Sequence, residues 1–329
     1  MSILHADKFF APIAPKLEAV EAELRKMVQS EIPVVRRLAE YVSNGGKRVR
    51  PVLVLLASKF CGYDKDEDIR YSAIFELMHT ATLIHDDVID HAPIRRGHSS
   101  LNAKWGNTLS ILFGDFLFLQ ATQNALAGRD WRILELLTDA ATKMIEGELI
   151  QNDCLYSLGV TKQTYFDILE RKTAFVFAGC AKTSAILAGK DEAVCHDMFK
   201  FGMGIGRAFQ LVDDLLDYTS TSDQLGKPAF SDLREGKLTL PILSLLEKAP
   251  DKATPIVKRV WENDSPAIPA EDANMLQELL KQYGTLDETR ELAKQASKTA
   301  CDSLPIAAGN PQIAELLQEI PETLLERSY

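Results

Sequence analysis

The chain has 329 residues, 46% of them hydrophobic and 26% charged, which is enough for a large buried core in the ordinary balance of a soluble protein. A formal net charge of -10 argues against nucleic acid as a general partner, because a phosphate-tracking surface needs a basic excess; a local basic pocket remains compatible with it. The five cysteines, at 61, 154, 180, 195 and 301, are odd in number and form no C-x-x-C pair. That argues against a disulfide framework and a thiolate metal site, and points to free thiols in a reducing cytoplasm.

The first residues, MSILHADKFFAPIAPKLEAVEAEL, lack a basic region followed by an unbroken apolar run, so no secretory signal is expected. The apolar run Val52-Leu53-Val54-Leu55-Leu56-Ala57 is far too short to span a bilayer, so a cytoplasmic protein without a transmembrane segment is expected. Gly45-Gly46 breaks the chain between two early helices. From Tyr71 to Ile84 the apolar residues fall at Ile74, Leu77, Met78, Ala81, Leu83 and Ile84, one broad helical face. A loop follows over 91–100, with Pro93 and Gly97. Residues 109–127, 131–154, 164–188 and 194–218 repeat the helical pattern, and no alternating strand pattern of useful length occurs. A second loop, 219–236, carries Gly226, Pro228 and Gly236. Prolines at 250, 255, 266 and 269 change the texture, and shorter amphipathic helices follow at 274–283 and 286–303. The expected fold is all-α, a large antiparallel helical bundle. With no linker rich in Gly, Ser or charge, residues 1–329 read as a single domain with a motif-bearing core at about 40–245 and a helical annex at about 250–329.

Two segments stand out against this background. Leu83-Ile84-His85-Asp86-Asp87-Val88-Ile89-Asp90 and Gln210-Leu211-Val212-Asp213-Asp214-Leu215-Leu216-Asp217 each carry D-D-x-x-D at the end of an apolar helix. Asp86 and Asp90 are four apart and share a helical face, as do Asp213 and Asp217. Three carboxylates in one turn repel each other, and they lie at the helix end whose dipole favours cations. Set against a core, such charges need compensation. An all-oxygen set without His or Cys suits a hard cation, and magnesium combines one or two carboxylates with water and phosphate oxygens. The expectation is two aspartate sets holding a diphosphate through magnesium across a helical cavity. Cations accompany the acids: Lys47, Arg48 and Arg50 in Gly45-Gly46-Lys47-Arg48-Val49-Arg50-Pro51, Arg95-Arg96 after the first set, Lys172 in Arg171-Lys172-Thr173, and Lys227 and Lys237 after the second. Arginine suits bidentate phosphate contact. The glycine pair is not a nucleotide loop, because G-x-x-x-x-G-K-[ST] is missing. His79 alone, seven residues before Asp86, says little. Phe113, Phe116 and Phe118 read as core, and Asp115 as a structural hydrogen-bonder.

The runs GGKRVRP, LIHDDVIDHAPIRRG, GDFLFLQA, RKTA, and FQLVDDLLDY followed by GKPAFSDLREGKLTLP resemble, in order, the motifs of the trans-isoprenyl diphosphate synthase family over about residues 40–245. The resemblance implies an all-α isoprenoid synthase bundle with a central cavity, and a transferase that adds isopentenyl diphosphate units to an allylic diphosphate such as farnesyl diphosphate. It implies that Asp86 and Asp90, supported by Asp87, hold Mg2+ on the allylic diphosphate, and that Asp213, helped by Asp214 and Asp217, holds a further ion. Arg95, Lys172 and Lys227 would contact the allylic diphosphate. Lys47, Arg50, His79 and Arg96 would form the isopentenyl pocket, with Lys237 a further substrate contact. Thr173 and Gln210 would line the reacting centre. The family forms homodimers, and the same is expected here.

Product length is a question of tunnel volume. Met78, Ala81 and Thr82 lie four to eight residues before Asp86, on the wall below it. Short-product relatives tend to carry a bulky aromatic at the Ala81 position, so an alanine implies an open tunnel and a long product, near octaprenyl. The competing readings are a short-chain farnesyl or geranylgeranyl synthase and a non-catalytic regulatory subunit, although such subunits typically lose aspartates. A terpene cyclase would lack the isopentenyl pocket. A di-iron bundle would need paired Glu-x-x-His motifs, and only Glu76 with His79 gives that spacing.

Overall fold

The computed structural model describes residues 7–42, 46, 48–95, 97–219, 229–263 and 268–325. It is all-α, as the periodicity and the resemblance predict. Among the described residues the strands are one antiparallel ladder, Ile94–Arg95 against His98–Ser99. The helices run α1 Asp7–Phe10, α2 Ala14–Met27, α3 Pro33–Val42, α4 Val49–Phe60, α5 Glu67–Ile89, α6 Leu101–Trp105, α7 Asn107–Ala127, α8 Trp131–Asp153, α9 Lys162–Leu169, α10 Phe175–Leu187 and α11 Glu192–Thr219. A π-helical turn, Glu170–Ala174, joins α9 to α10. After α11 come helices Ser231–Arg234, Leu240–Lys248, Pro250–Trp261, Ala270–Gln282, Thr285–Ser303 and Pro311–Leu325.

The chain groups into two compact units that interleave in sequence: Met1–Ala141, Val176–Gly202 and Ser303–Gln318 in the first, and Thr142–Phe175, Met203–Asp302 and Glu319–Tyr329 in the second. The boundary near residue 250 does not coincide with this division. Helices Pro250–Trp261, Ala270–Gln282 and Thr285–Ser303 share a core with the second aspartate segment, through Leu211, Val212, Val257, Leu280 and Ala293. Segment 303–318 joins the first unit instead, where the Asn310 N–H donates to the Phe60 carbonyl at 2.8 Å.

In the first unit α5 packs against α2, α4 and α7. From Val52 to Ala57 helix α4 is apolar on every side and correspondingly buried. Helix α5 starts with Glu67 and Asp68, acids that suit an N-terminal dipole. Asp68 is buried there, and both of its carboxylate oxygens accept from Lys16 Nζ at 2.8 Å. Helix α7 buries Phe113, Leu117, Ala121 and Ala125 and leaves Leu112, Leu119 and Leu126 exposed, a stripe repeating every seven residues. The His85 ring lies over Gly114, so a Cβ there would come 2.3 Å from His85 Nε2 and the ring would have to shift.

In the second unit α11 carries two glycines that let helices approach backbone to backbone. A Cβ on Gly204 would lie 2.8 Å from the Ala300 backbone, and one on Gly206 would lie 2.5 Å from Ala174 Cα. Lys162 and Lys248 converge on Glu288, at 2.8 and 2.7 Å. Burial alone would raise the Glu288 carboxyl, but hydrogen bonds from both lysines and Ser244 outweigh it and bring it down to about 2.

Gly204→Ala is the sharp test of this packing. In an open helix the change gains about 1 kcal/mol. Here overpacking against a backbone should reverse the sign and lower stability by about 1–3 kcal/mol in urea denaturation. A gain in stability would contradict the close approach of α11 to Thr285–Ser303.

Candidate active site

In the first unit the acidic segment closes α5. Asp86 and Asp90 are half-buried, while Asp87 is only 4% exposed. A buried carboxylate needs donors, and Arg95 supplies them. Its Nε donates to Asp87 Oδ1 at 2.8 Å and its Nη2 to the same oxygen. Arg95 can reach because the chain turns back through Gly97, at φ +80°, into the Ile94–Arg95/His98–Ser99 ladder. The Asp87 backbone is held as well: Ala92 N–H and Asn102 Nδ2 both donate to its carbonyl, at 2.9 and 3.0 Å. Burial would lower the Arg95 guanidinium's affinity for its proton, but Asp87, Asp86 and Asp90 outweigh that and hold it charged.

Of the other first-unit candidates, Met78, His79, Ala81 and Thr82 lie on α5 about one to three turns before this end. His79 is half-buried, Met78 and Ala81 are buried, and the Thr82 hydroxyl donates back to the His79 carbonyl at 2.8 Å. A cavity of about 50 Å³ in the same unit is lined by Leu77, Thr80, Phe113 and Leu117, with Arg48, Glu21 and Glu76 at its polar edge. Arg50 sits with its guanidinium carbon 5.2 Å from the centre of the Phe177 ring, a cation–π arrangement. Arg48 adopts φ +50°, in the left-handed region, and its guanidinium pairs with Glu76 at 3.0 Å and with Glu21. Lys47 and Arg96 lie outside the described residues.

In the second unit a cavity of about 160 Å³ is lined by Lys172, Thr173, Gln210, Asp213, Asp214, Asp232 and Lys237. Lys172 and Thr173 reach it from the π-helical turn, whose extra residue per turn re-aims side chains and is frequent at functional sites. The sequence shows no π signal, and the packing beside the wide turn accounts for two helical glycines. A Cβ on Gly147 would come within 2.9 Å of the Lys172 N, and Gly206 admits Ala174 from the other side. The Lys172 ammonium pairs with Glu148, and Lys237 Nζ pairs with Glu235 at 2.9 Å. Lys227 lies outside the described residues.

The three aspartates of α11 differ sharply in environment. Asp213 is exposed. Asp214 is 2% exposed, accepting from Tyr165 OH at 2.5 Å and from Gln210 Nε2 at 2.9 Å. Burial first, and then the charges of Asp232 and Asp213, push its carboxyl up to about 8 against those two hydrogen bonds. Asp217 is 1% exposed, and it accepts from Ser231 Oγ at 2.6 Å, from the Ser231 N–H at 3.3 Å and from the Asp232 N–H at 3.2 Å. It thereby holds the turn after Phe230, a residue at φ +61°. Asp213 and Asp217 therefore share a helical face but not an environment. Asp232 and Tyr165 were not among the residues singled out from sequence. Asp232 lies inside the run GKPAFSDLREGKLTLP, whereas Tyr165 has no motif around it.

These donor sets fit a divalent ion shared with a phosphate. Among the described residues no three His, Cys, Asp or Glu side chains gather into a metal cage. Magnesium does not need one, since one or two carboxylates with water and phosphate oxygens complete its shell.

A family model described as polyprenyl synthetase matches residues 32–280. The chain belongs to the polyprenyl synthetase family. The chain is 32% identical over 309 residues to the octaprenyl diphosphate synthase of Escherichia coli strain K12, covering 94% of this chain and 95% of that one. It is 38% identical over 242 residues to heptaprenyl diphosphate synthase component 2 of Geobacillus stearothermophilus, covering 73% and 76%. Its structure matches the polyprenyl synthase of Caulobacter crescentus CB15, solved in complex with calcium and isoprenyl diphosphate, with a TM-score of 0.90, 32% identity and 98% of both chains covered. This polyprenyl synthetase is a trans-prenyltransferase that lengthens prenyl chains, and enzymes of its family use divalent metal ions.

Arg95→Ala should show what the Asp87 bond contributes. It removes the guanidinium from a buried carboxylate, which costs about 1–3 kcal/mol. Urea denaturation should register a loss of that size. Asp87→Asn, which keeps a hydrogen-bonding side chain opposite Arg95, should lose less. Equal stability of wild type and Arg95→Ala would show that the pair does not hold this end of α5.

Proposed function

We propose that this trans-prenyltransferase condenses an allylic diphosphate such as farnesyl diphosphate with successive isopentenyl diphosphate units, and releases a long all-trans polyprenyl diphosphate near octaprenyl. Alignment over nearly the whole chain with an octaprenyl diphosphate synthase, both aspartate segments intact, carries the reading. We take the ions to be magnesium, held by Asp86 and Asp90 on α5 with the allylic diphosphate, and, for a further ion, by Asp213 on α11. The calcium and isoprenyl diphosphate bound by the Caulobacter crescentus enzyme support that assignment. Asp87, Asp214 and Asp217 would act behind these ligands, through the bonds that fix their helices.

When bound, the ions would supply Lewis-acid charge to the departing diphosphate. The protein's own part is cationic and geometric. Arg95, Lys172 and Lys227 would add positive charge where the leaving diphosphate becomes more negative. Arg95 and Lys172 are paired with Asp87 and Glu148 in this structure, so an arriving diphosphate enters sites where cations are already held in place. Lys47, Arg50, His79 and Arg96 would fix isopentenyl diphosphate, with Lys237 a further contact, so that its double bond faces the allylic carbon; positioning of this kind is a large part of the catalysis. Thr173 and Gln210 would face the carbon that turns positive. The released diphosphate would accept the proton lost in the last step, so no protein base is assigned.

Ala81 supports a long product. It is buried five residues before Asp86 and offers only a methyl group at that depth. The exposed Leu112, Leu119 and Leu126 stripe supports a homodimer, because it gives a second copy an apolar face to cover. No helix among the described residues is long and apolar enough to cross a membrane, which supports a cytoplasmic enzyme that hands its product to a bilayer. The similarity to component 2 of a heptaprenyl synthase favours one second reading, a subunit that needs a partner chain.

One experiment separates these readings. The purified chain, incubated with farnesyl diphosphate, labelled isopentenyl diphosphate and magnesium, should run as a dimer on a sizing column and yield products near octaprenyl on chromatography. Ala81→Phe should shorten them by several isoprene units. Unaltered lengths in that variant would remove Ala81 from the tunnel, and silence of the purified chain would favour the partner-dependent subunit.

A further inference from the structure

A directional chain of hydrogen bonds stands behind Thr173 in the second unit. Tyr165 OH donates to Asp214 Oδ2 at 2.5 Å, Gln210 Nε2 donates to Asp214 Oδ1 at 2.9 Å, and Thr173 Oγ1 donates to Gln210 Oε1 at 2.8 Å. All four residues line the 160 Å³ cavity, and Tyr165, Asp214 and Thr173 are each under a tenth exposed. We propose that Tyr165 is a positioning residue for the condensation, acting through Asp214 and Gln210 to set the direction of the Thr173 hydroxyl. This rests on the reading of Thr173 and Gln210 as lining the reacting centre.

The argument is one of donor and acceptor capacity. In the structure both Asp214 oxygens accept, Oδ2 from Tyr165 and Oδ1 from Gln210, so Gln210 presents its NH2 to Asp214. Its carbonyl is then left for Thr173. Thr173 has a single hydroxyl proton and gives it to that carbonyl, so its lone pairs are left for whatever enters the cavity. An oxygen that presents lone pairs steadies positive charge developing on a neighbouring carbon, whereas one that presents a proton opposes it. The backbone of Thr173 has little freedom. Gly147 and Gly206 let neighbouring helices close on the π-helical turn, so a Cβ at either would strike the backbone of Lys172 or Ala174. What remains free is the hydroxyl rotor, and the chain from Tyr165 sets it. Tyr165 is the terminal donor. Without its oxygen one side of Asp214 loses its partner, and the carboxylate and the Gln210 amide can rotate.

Tyr165→Phe removes that oxygen and keeps the ring. Assayed below its melting temperature, with the fold confirmed by circular dichroism, it should lose about tenfold or more in kcat. KM for both diphosphates should stay within about twofold, since the chain acts on the reacting centre rather than on binding. A Thr173→Val background supplies the second readout. If Tyr165 acts through Thr173, adding Tyr165→Phe to Thr173→Val should cost little more, whereas a merely structural tyrosine would give the same loss in both backgrounds. Independent losses, or a kcat in Tyr165→Phe within about twofold of wild type while Thr173→Val is impaired, would overturn the proposal and leave the assigned chemistry standing. Full turnover in Thr173→Val would remove Thr173 from the reacting centre and the proposal with it.

Discussion

A carboxylate inside a folded chain must either be met by donors or be left where water or a cation can reach it. This polyprenyl synthetase carries two trios of aspartates at the C-terminal ends of helices, where backbone carbonyls already make the surroundings negative. The structure divides each trio by burial. Asp87 is tied to Arg95, Asp214 to Tyr165 and Gln210, and Asp217 to Ser231 and the Asp232 N–H. Asp86 and Asp90 stay half-buried, and Asp213 is exposed. The tied acids anchor the turns that follow α5 and α11. The accessible ones supply negative charge at the ends of those anchored helices.

The two D-D-x-x-D segments are therefore alike in sequence and unlike in use. In the first, the middle aspartate is tied and the outer two share an accessible face. In the second, only the first is accessible, because the turn at 229–232 folds over the last turn of α11 and takes Asp217 as its anchor. Asymmetry of this kind allows one helix end to present two carboxylates and the other a single one, together with the cavity that holds Lys172 and Thr173. Preorganisation extends behind the cavity: glycines at 147 and 206 fix the π-helical turn, and side-chain bonds fix what the turn displays.

Much of this is legible in the amino-acid order, and the limits are physical. Helices of 3.6 periodicity, the acidic segments and the family motifs are local patterns, and each was readable. The sharing of a face by Asp213 and Asp217 also followed from spacing. Their unequal burial did not, because it depends on a turn more than ten residues further along the chain. Tyr165 was invisible for the same reason: its partner Asp214 is 49 residues away. Gly147 and Gly206 looked like ordinary helical glycines, and only the neighbouring backbone shows why no side chain fits. The annex boundary near residue 250 followed proline density, whereas the helices beyond it pack into the core of the second unit.

The division between anchoring and accessible carboxylates is tested most directly by metal uptake. Manganese can be titrated into the protein with inorganic pyrophosphate and followed by electron paramagnetic resonance, beside a urea melt of each variant. Asp86→Asn, Asp90→Asn and Asp213→Asn should each weaken uptake by about tenfold or more with little loss of stability, whereas Asp217→Asn should lower the melt and spare uptake by the folded protein. Unchanged uptake in the first three variants, or loss of uptake confined to Asp217→Asn, would contradict the account.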